Sequence, residues 1–137
     1  MRMLKIFGDV AVSLLAVGCS NAQEENNEES GQEQTQVTAV AQLVNKKEFT
    51  KLLDKEGRQL VDVRTPGEIQ QGKIADAMEM NFHDANFQNQ LESLDKEKPV
   101  LIYCAAGGRS AKAVQMMKSM GFKEIYELDG GYNAWKN

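Results

Sequence analysis

Val100-Leu101-Ile102-Tyr103-Cys104-Ala105-Ala106-Gly107-Gly108-Arg109-Ser110 is the stretch on which the fold turns. Four apolar residues in a row read as a strand covered on both faces, as in a parallel sheet. Gly107-Gly108 reads as a tight turn. Ser110 to Met120 then carries Ala113, Val114 and Met117 at helical spacing before Gly121, so a helix is predicted to start at Ser110. Cys104 therefore sits at the carboxyl end of a strand and before a helix, which is where open α/β sheets bind ligands.

The same alternation extends outward in both directions. Further strands are predicted at Gln42 to Val44, Gln59 to Val63, Ala77 to Met80 and Glu124 to Leu128. Between the first two, Asn45 and Glu48 form a capping box, Phe49, Leu52 and Leu53 an apolar face, and Gly57 a stop. Thr65-Pro66 opens a short second helix that ends before Gly72, with Pro at the first helical position. Asp84 is predicted to cap a helix carrying Phe87, Leu91 and Leu94. Met116, Met117 and Met120 read as packing residues. The expectation is one α/β domain over residues 38–137, a mostly parallel five-stranded sheet flanked by helices.

A strand, a glycine turn and a helix start aim several backbone N–H groups into one concavity, and the helix dipole adds positive potential. That field stabilises a thiolate, the reactive form of cysteine. Cys104 is accordingly read as a nucleophile, against the alternative of a small buried hydrophobe. Arg109, a cation in the first turn, opposes the dipole unless it binds something, which makes it a candidate anion clamp or else a surface residue. Asp62 and Arg64 lie two apart at a strand end and face one side. With Glu68 they read as an ion-pair support for the site rather than as catalysts. Tyr132 and Trp135 read as packing aromatics, and His83 as a capping or surface residue.

The 137 residues carry a formal net charge of -4. Glu24, Glu25, Glu28, Glu29 and Glu33 crowd one stretch, while from Thr38 onward 14 acidic residues balance 14 basic ones. A neutral domain without a basic stripe lacks the footprint of a nucleic-acid binder. A lone histidine and two cysteines supply no metal-ligand set, and no metal or cofactor is expected.

Arg2 and Lys5 precede an apolar run, Val10 to Val17, too short to span a bilayer and suited to a targeting segment. The segment ends in Leu15-Ala16-Val17-Gly18-Cys19, which resembles a bacterial lipobox. Residues 1–19 are read as a signal peptide with Cys19 as the lipidation site; an unlipidated cleaved signal, or an apolar helix with a chance cysteine, is the alternative. Residues 20–37 are polar and acidic, a composition that does not offset the entropy of ordering, and read as a disordered tether. The domain is thus expected in the cell envelope outside the cytoplasm, held to the membrane by lipid only. Acylation of Cys19 leaves Cys104 the sole thiol.

Four segments together resemble the rhodanese family. They are Asp62-Val63-Arg64-Thr65-Pro66-Gly67-Glu68, Gly72-Lys73-Ile74-Ala75-Asp76-Ala77, the loop from Cys104 to Ser110, and Asp129-Gly130-Gly131-Tyr132-Asn133-Ala134-Trp135. Lys73 and Asp76 stand where the family has His and Gly. The resemblance implies that Cys104 takes up a sulfane sulfur as a persulfide, held by the loop Ala105, Ala106, Gly107, Gly108, Arg109 and Ser110, and passes it to a thiophilic acceptor. Thiosulfate or a persulfide is the implied small donor, a thiol or cyanide the acceptor, with a protein donor or acceptor as a further option, and the protein a monomer. Cys104 through Arg109 is six residues, the length of sulfurtransferase loops, where related phosphatases and arsenate reductases have seven. Ala105 and Ala106 add no charge, so a persulfide donor is as plausible as dianionic thiosulfate. The alternatives are a non-catalytic or thiol-sensing module on the same fold and, disfavoured by the loop length, a phosphatase or arsenate reductase.

Overall fold

The computed structural model describes residues 38–137; the expected signal peptide, Cys19 and the tether lie outside the described residues. Among the described residues, five strands and five helices alternate: β1 (Val40–Val44), α1 (Lys46–Leu53), β2 (Gln59–Asp62), α2 (Pro66–Ile69), β3 (Met78–Glu79), α3 (Phe87–Glu92), β4 (Val100–Tyr103), α4 (Gly108–Ser119), β5 (Glu124–Leu128) and α5 (Gly131–Trp135). The strands form one sheet in the order β1-β5-β4-β2-β3. Every pairing is parallel, so the expected mostly parallel sheet is parallel throughout.

β4 lies in the middle, and this is why its sequence is an unbroken apolar run: Val100, Leu101, Ile102 and Tyr103 are all buried. Alternate side chains feed two cores. Val100, Ile102 and Cys104 join Phe87 and Leu91 of α3 and Ala113, Val114 and Met117 of α4. Leu101 and Tyr103 join Phe49 and Leu52 of α1 on the other face. Each fully buried Val, Leu, Ile, Phe or Met among them contributes about 1.5–3 kcal/mol through burial, so both faces of the central strand are held by packing. Its carboxyl end carries Cys104.

The local signals differ in several places from the expectation. At α1 only half of the expected capping box forms: the Asn45 side chain accepts from the Glu48 N–H at 3.0 Å, without a return bond from the Glu48 carboxylate. At α2 the box is complete, because Thr65 and Glu68 each bond the other's backbone N–H. α4 begins at Gly108, two residues before the predicted Ser110, because Gly107 turns the chain at φ 114°, a region that favours glycine. α3 begins at Phe87 behind Asn86, which makes no side-chain cap. Asp84 instead accepts from the Asn86 N–H at 2.8 Å and shapes the preceding turn. β3 shrinks to Met78–Glu79: among the described residues it lies at the sheet edge beside β2, paired through Val61 and Asp62.

Candidate active site

The Cys104 side chain is 1% exposed, at the junction of β4 and α4. Its Sγ accepts a hydrogen bond from the Gly107 N–H at 3.0 Å and lies 3.4 Å from the Ser110 hydroxyl. Burial alone pushes a thiol up. Here the Ser110 hydroxyl and the N–H groups of Ser110, Gly107 and Ala106 outweigh it, and the Cys104 thiol is held below its ordinary value. The glycine turn thus gathers donors on one sulfur. These groups favour the thiolate over the thiol at Sγ.

The loop is shaped from behind by the C-terminal segment. The Tyr132 N–H donates to the Cys104 carbonyl at 2.8 Å and the Asn133 N–H to the Ala105 carbonyl at 3.0 Å. With its carbonyls tied to α5, the loop presents its N–H groups to the sulfur. Gly131 is required where it is, at φ 59°, because a Cβ there would overlap the Cys104 carbonyl oxygen.

The other predicted residues are brought to the same end of the sheet. Arg64 is 3% exposed and Asp62 is fully buried; Arg64 Nε and Nη2 donate to the Asp62 carboxylate at 3.0 and 2.7 Å. Nη2 also donates to the Gly72 carbonyl at 2.8 Å, and the guanidinium lies 4.0 Å from the centroid of the Tyr132 ring. Burial opposes the charge on Arg64, but the hydrogen bonds and attraction of Asp62 prevail and raise its pKa. The pair ties β2 to the segment after α2 and to α5. Tyr103 ties β4 to that segment too, its hydroxyl accepting from the Ile74 N–H at 2.9 Å.

Arg109 is not a free anion clamp. Its Nη1 and Nη2 donate to the two oxygens of Glu68, both at 2.7 Å, a charge-assisted fork that neutralises the loop's one cation. Glu68 is also bonded to Thr65, and its carboxyl is held down to about 2, chiefly by Arg109. Lys73 and Asp76, the two departures from the family pattern, are paired locally with Glu79 and Arg58. Beside the loop opens a cleft of about 400 Å³, lined by Thr65, Glu68, Gln71, Ala105, Asn133 and Lys136 among others.

One residue of the site escaped the sequence reading. Glu127 of β5 is 8% exposed and accepts from the Ser110 hydroxyl at 2.6 Å. The available signal was alternation: in Glu124-Ile125-Tyr126-Glu127-Leu128, Glu127 shares a face with core residue Ile125.

The family model for the rhodanese-like domain matches residues 45–137. The chain belongs to the rhodanese-like domain family. A protein named thiosulfate sulfurtransferase GlpE, from Coxiella burnetii, is 38% identical over 89 residues, 65% of this chain and 81% of that one. A sulfurtransferase of Allochromatium vinosum is 38% identical over 85 residues, 62% of this chain and 78% of that one. Among solved structures, a rhodanese-like domain protein from Staphylococcus aureus superposes with a TM-score of 0.60 at 32% identity, covering 70% of this rhodanese-like chain and 90% of its counterpart. The α/β fold with its five-stranded parallel sheet is therefore that of the family.

Proposed function

We propose that this rhodanese-like protein is a sulfurtransferase or persulfide carrier in which Cys104 accepts a sulfane sulfur and hands it to a thiophilic acceptor. The observation that carries the reading is the Gly107 N–H donating to Cys104 Sγ at 3.0 Å, with the Ser110 hydroxyl 3.4 Å from the sulfur and the thiol held below its ordinary value. Relatives named as sulfurtransferases support it.

The chemistry is two displacements. The Cys104 thiolate attacks the outer sulfur of a donor such as thiosulfate; an S–S bond forms at Sγ, the donor's S–S bond breaks, and sulfite leaves with the electron pair. The acceptor, a thiolate or cyanide, then attacks the outer sulfur of the persulfide, and the electron pair of that S–S bond returns to Cys104. No electron carrier is needed. The loop's N–H groups serve whichever sulfur carries the charge, which is electrostatic stabilisation by fixed dipoles.

Intact-mass measurement after incubation with thiosulfate, and separately with a small persulfide, tests the reading. The expected result is the gain of one sulfur, absent in Cys104→Ser. No adduct with either donor, while iodoacetamide still labels Cys104, overturns it. The second reading, a non-catalytic or thiol-sensing module, is favoured by the 1% exposure of Cys104 within an apolar cluster. An alkylation rate that rises with pH only at the midpoint of an ordinary cysteine is its signature.

Anchoring at the cell envelope through Cys19 is part of the same proposal, supported by the sequence Leu15 to Cys19. Palmitate incorporation into the wild type and not into Cys19→Ala is expected; equal incorporation refutes it.

A further inference from the structure

Glu127 is a carboxylate in a place that asks for an explanation. It is 8% exposed, and no salt bridge among the described residues reaches it. Among the described residues its only hydrogen-bond partner is Ser110. A buried carboxylate without a cation is costly as an anion. Its neighbours across the sheet do not help: Ile102 and Leu43, opposite it on β4 and β1, are apolar. The charged group that acts on it is Asp129, two along its own strand direction, which repels it. On the α4 side it faces Ser110, and behind Ser110 stands Cys104, on which Arg109 also acts.

The hydrogen count at Ser110 is decisive. A hydroxyl has one hydrogen. Ser110 Oγ has three acceptors within reach: Glu127 Oε1 at 2.6 Å, the Gly107 carbonyl at 3.2 Å and Cys104 Sγ at 3.4 Å. When Glu127 is ionised, the hydrogen belongs to it, and Sγ faces the lone pairs of Ser110, which suits a thiol S–H. When Glu127 is protonated, its O–H donates to Ser110, and the Ser110 hydrogen turns to Sγ, which suits a sulfur anion.

We propose that Glu127 and Cys104 hold one proton between them through the Ser110 hydroxyl, and that Glu127 is the positioning residue that sets whether Cys104 is a thiol or an anion. The transfer balances: the S–H bond of Cys104 breaks as an O–H forms at Ser110, and the former Ser110 O–H breaks as one forms at Glu127. Net charge is unchanged, so the buried site carries one negative charge in either form. Burial pushes the Glu127 carboxyl up, with Ser110 opposing and Asp129 adding to the rise, which brings the two groups closer in acidity. Resting on Cys104 as the sulfur acceptor, the same relay serves turnover. A persulfide anion keeps the proton on Glu127, and discharge to a thiol form returns it: O–H breaks at Glu127, and S–H forms at Cys104 by way of Ser110.

Titration of Cys104, followed by thiolate absorbance in the full domain, tests the coupling. Glu127→Gln removes the charge at constant shape, and the Cys104 midpoint is expected to fall by about one pH unit or more. Made in a Ser110→Ala background, the same change is expected to leave the midpoint where Ser110→Ala alone put it. An independent readout keeps the test valid if a variant folds poorly. The carbon-13 titration of the Glu127 carboxyl is expected to move down by about one pH unit in Cys104→Ala. A Glu127→Gln profile superimposed on the wild type, the full shift surviving in the Ser110→Ala background, or a Glu127 midpoint indifferent to Cys104 would each overturn the proposal. None of these measurements uses a sulfur donor. Loss of the sulfur adduct with the coupling intact would therefore refute the sulfurtransferase reading and leave the shared proton standing.

Discussion

The guanidinium of Arg109, in the first turn of α4, grips the carboxylate of Glu68 in α2 through two parallel hydrogen bonds of 2.7 Å. A cation at a helix start is unfavourable by itself, and Glu68 removes that cost while fastening the loop of Cys104 to the element after β2. The two residues are 41 apart in sequence. One ion pair thus joins the first signature of the chain to the third.

Acid stability reports this pair. The Glu68 carboxyl is held at about 2 in the fold against an ordinary 4.5. A depressed folded value means that its contribution is fully present above pH 4.5 and is lost as pH falls toward about 2. Both side chains are partly exposed, at 22% and 35%, so solvent screening limits the contribution to about 1 kcal/mol. Urea unfolding of Glu68→Gln at neutral pH is expected to show that loss, and the gap from wild type should close at the acid end. A gap constant down to the lowest pH would contradict it.

The pair also sets how the loop meets anions. With Arg109 neutralised and Ala105 and Ala106 uncharged, little positive charge is free to draw a dianion. Glu68→Gln frees the guanidinium, and KM for thiosulfate is expected to fall several-fold while KM for a neutral organic persulfide stays within twofold. Steady-state sulfur transfer with the two donors measures it. An equal change for both would assign the effect to loop geometry instead of charge.

The sheet, the order of elements and the placement of Cys104 were legible because apolar period and glycine turns are local signals. Val100 to Tyr103 announced a strand covered on both faces, and the structure buries all four. The Asp62–Arg64 pair was legible too, since strand alternation puts residues two apart on one side. What was not legible depends on separation in the chain. Nothing near Arg109 says that its partner is Glu68, and nothing near Ser110 says that Glu127 lies 17 residues on at 2.6 Å. Helix starts slipped for a different reason: Gly107 adopts a left-handed turn that lets α4 begin at once, and the Asp84 side chain was spent on the turn before α3.

Asp62→Asn tests the buried pair. Arg64 at 3% exposure would keep its charge and lose its counter-charge, a change that costs about 3–5 kcal/mol. Equilibrium unfolding is the measurement. Replacing both residues by apolar ones of similar volume is expected to recover much of that loss, because no unpaired charge remains. A double variant as unstable as the single one would show that Arg64 matters chiefly through Gly72 and Tyr132.

Gly131→Ala probes the backbone that shapes the site from behind. The new Cβ would overlap the Cys104 carbonyl oxygen and lie 2.7 Å from that of Ala105, at a φ of 59° that already disfavours a side chain. These carbonyls accept from the Tyr132 and Asn133 N–H groups at 2.8 and 3.0 Å, so the clash is relieved only by moving the loop away from α5. Movement there withdraws the Gly107 N–H from Sγ. The Cys104 thiol is then expected to titrate at higher pH than in the wild type, and sulfur transfer to fall at least tenfold. Gly67→Ala, where the added Cβ meets no atom within 4 Å, serves as the comparison and is expected to leave the thiol titration unchanged. Equal behaviour of the two variants would mean that α5 does not hold the loop in its donor-rich shape.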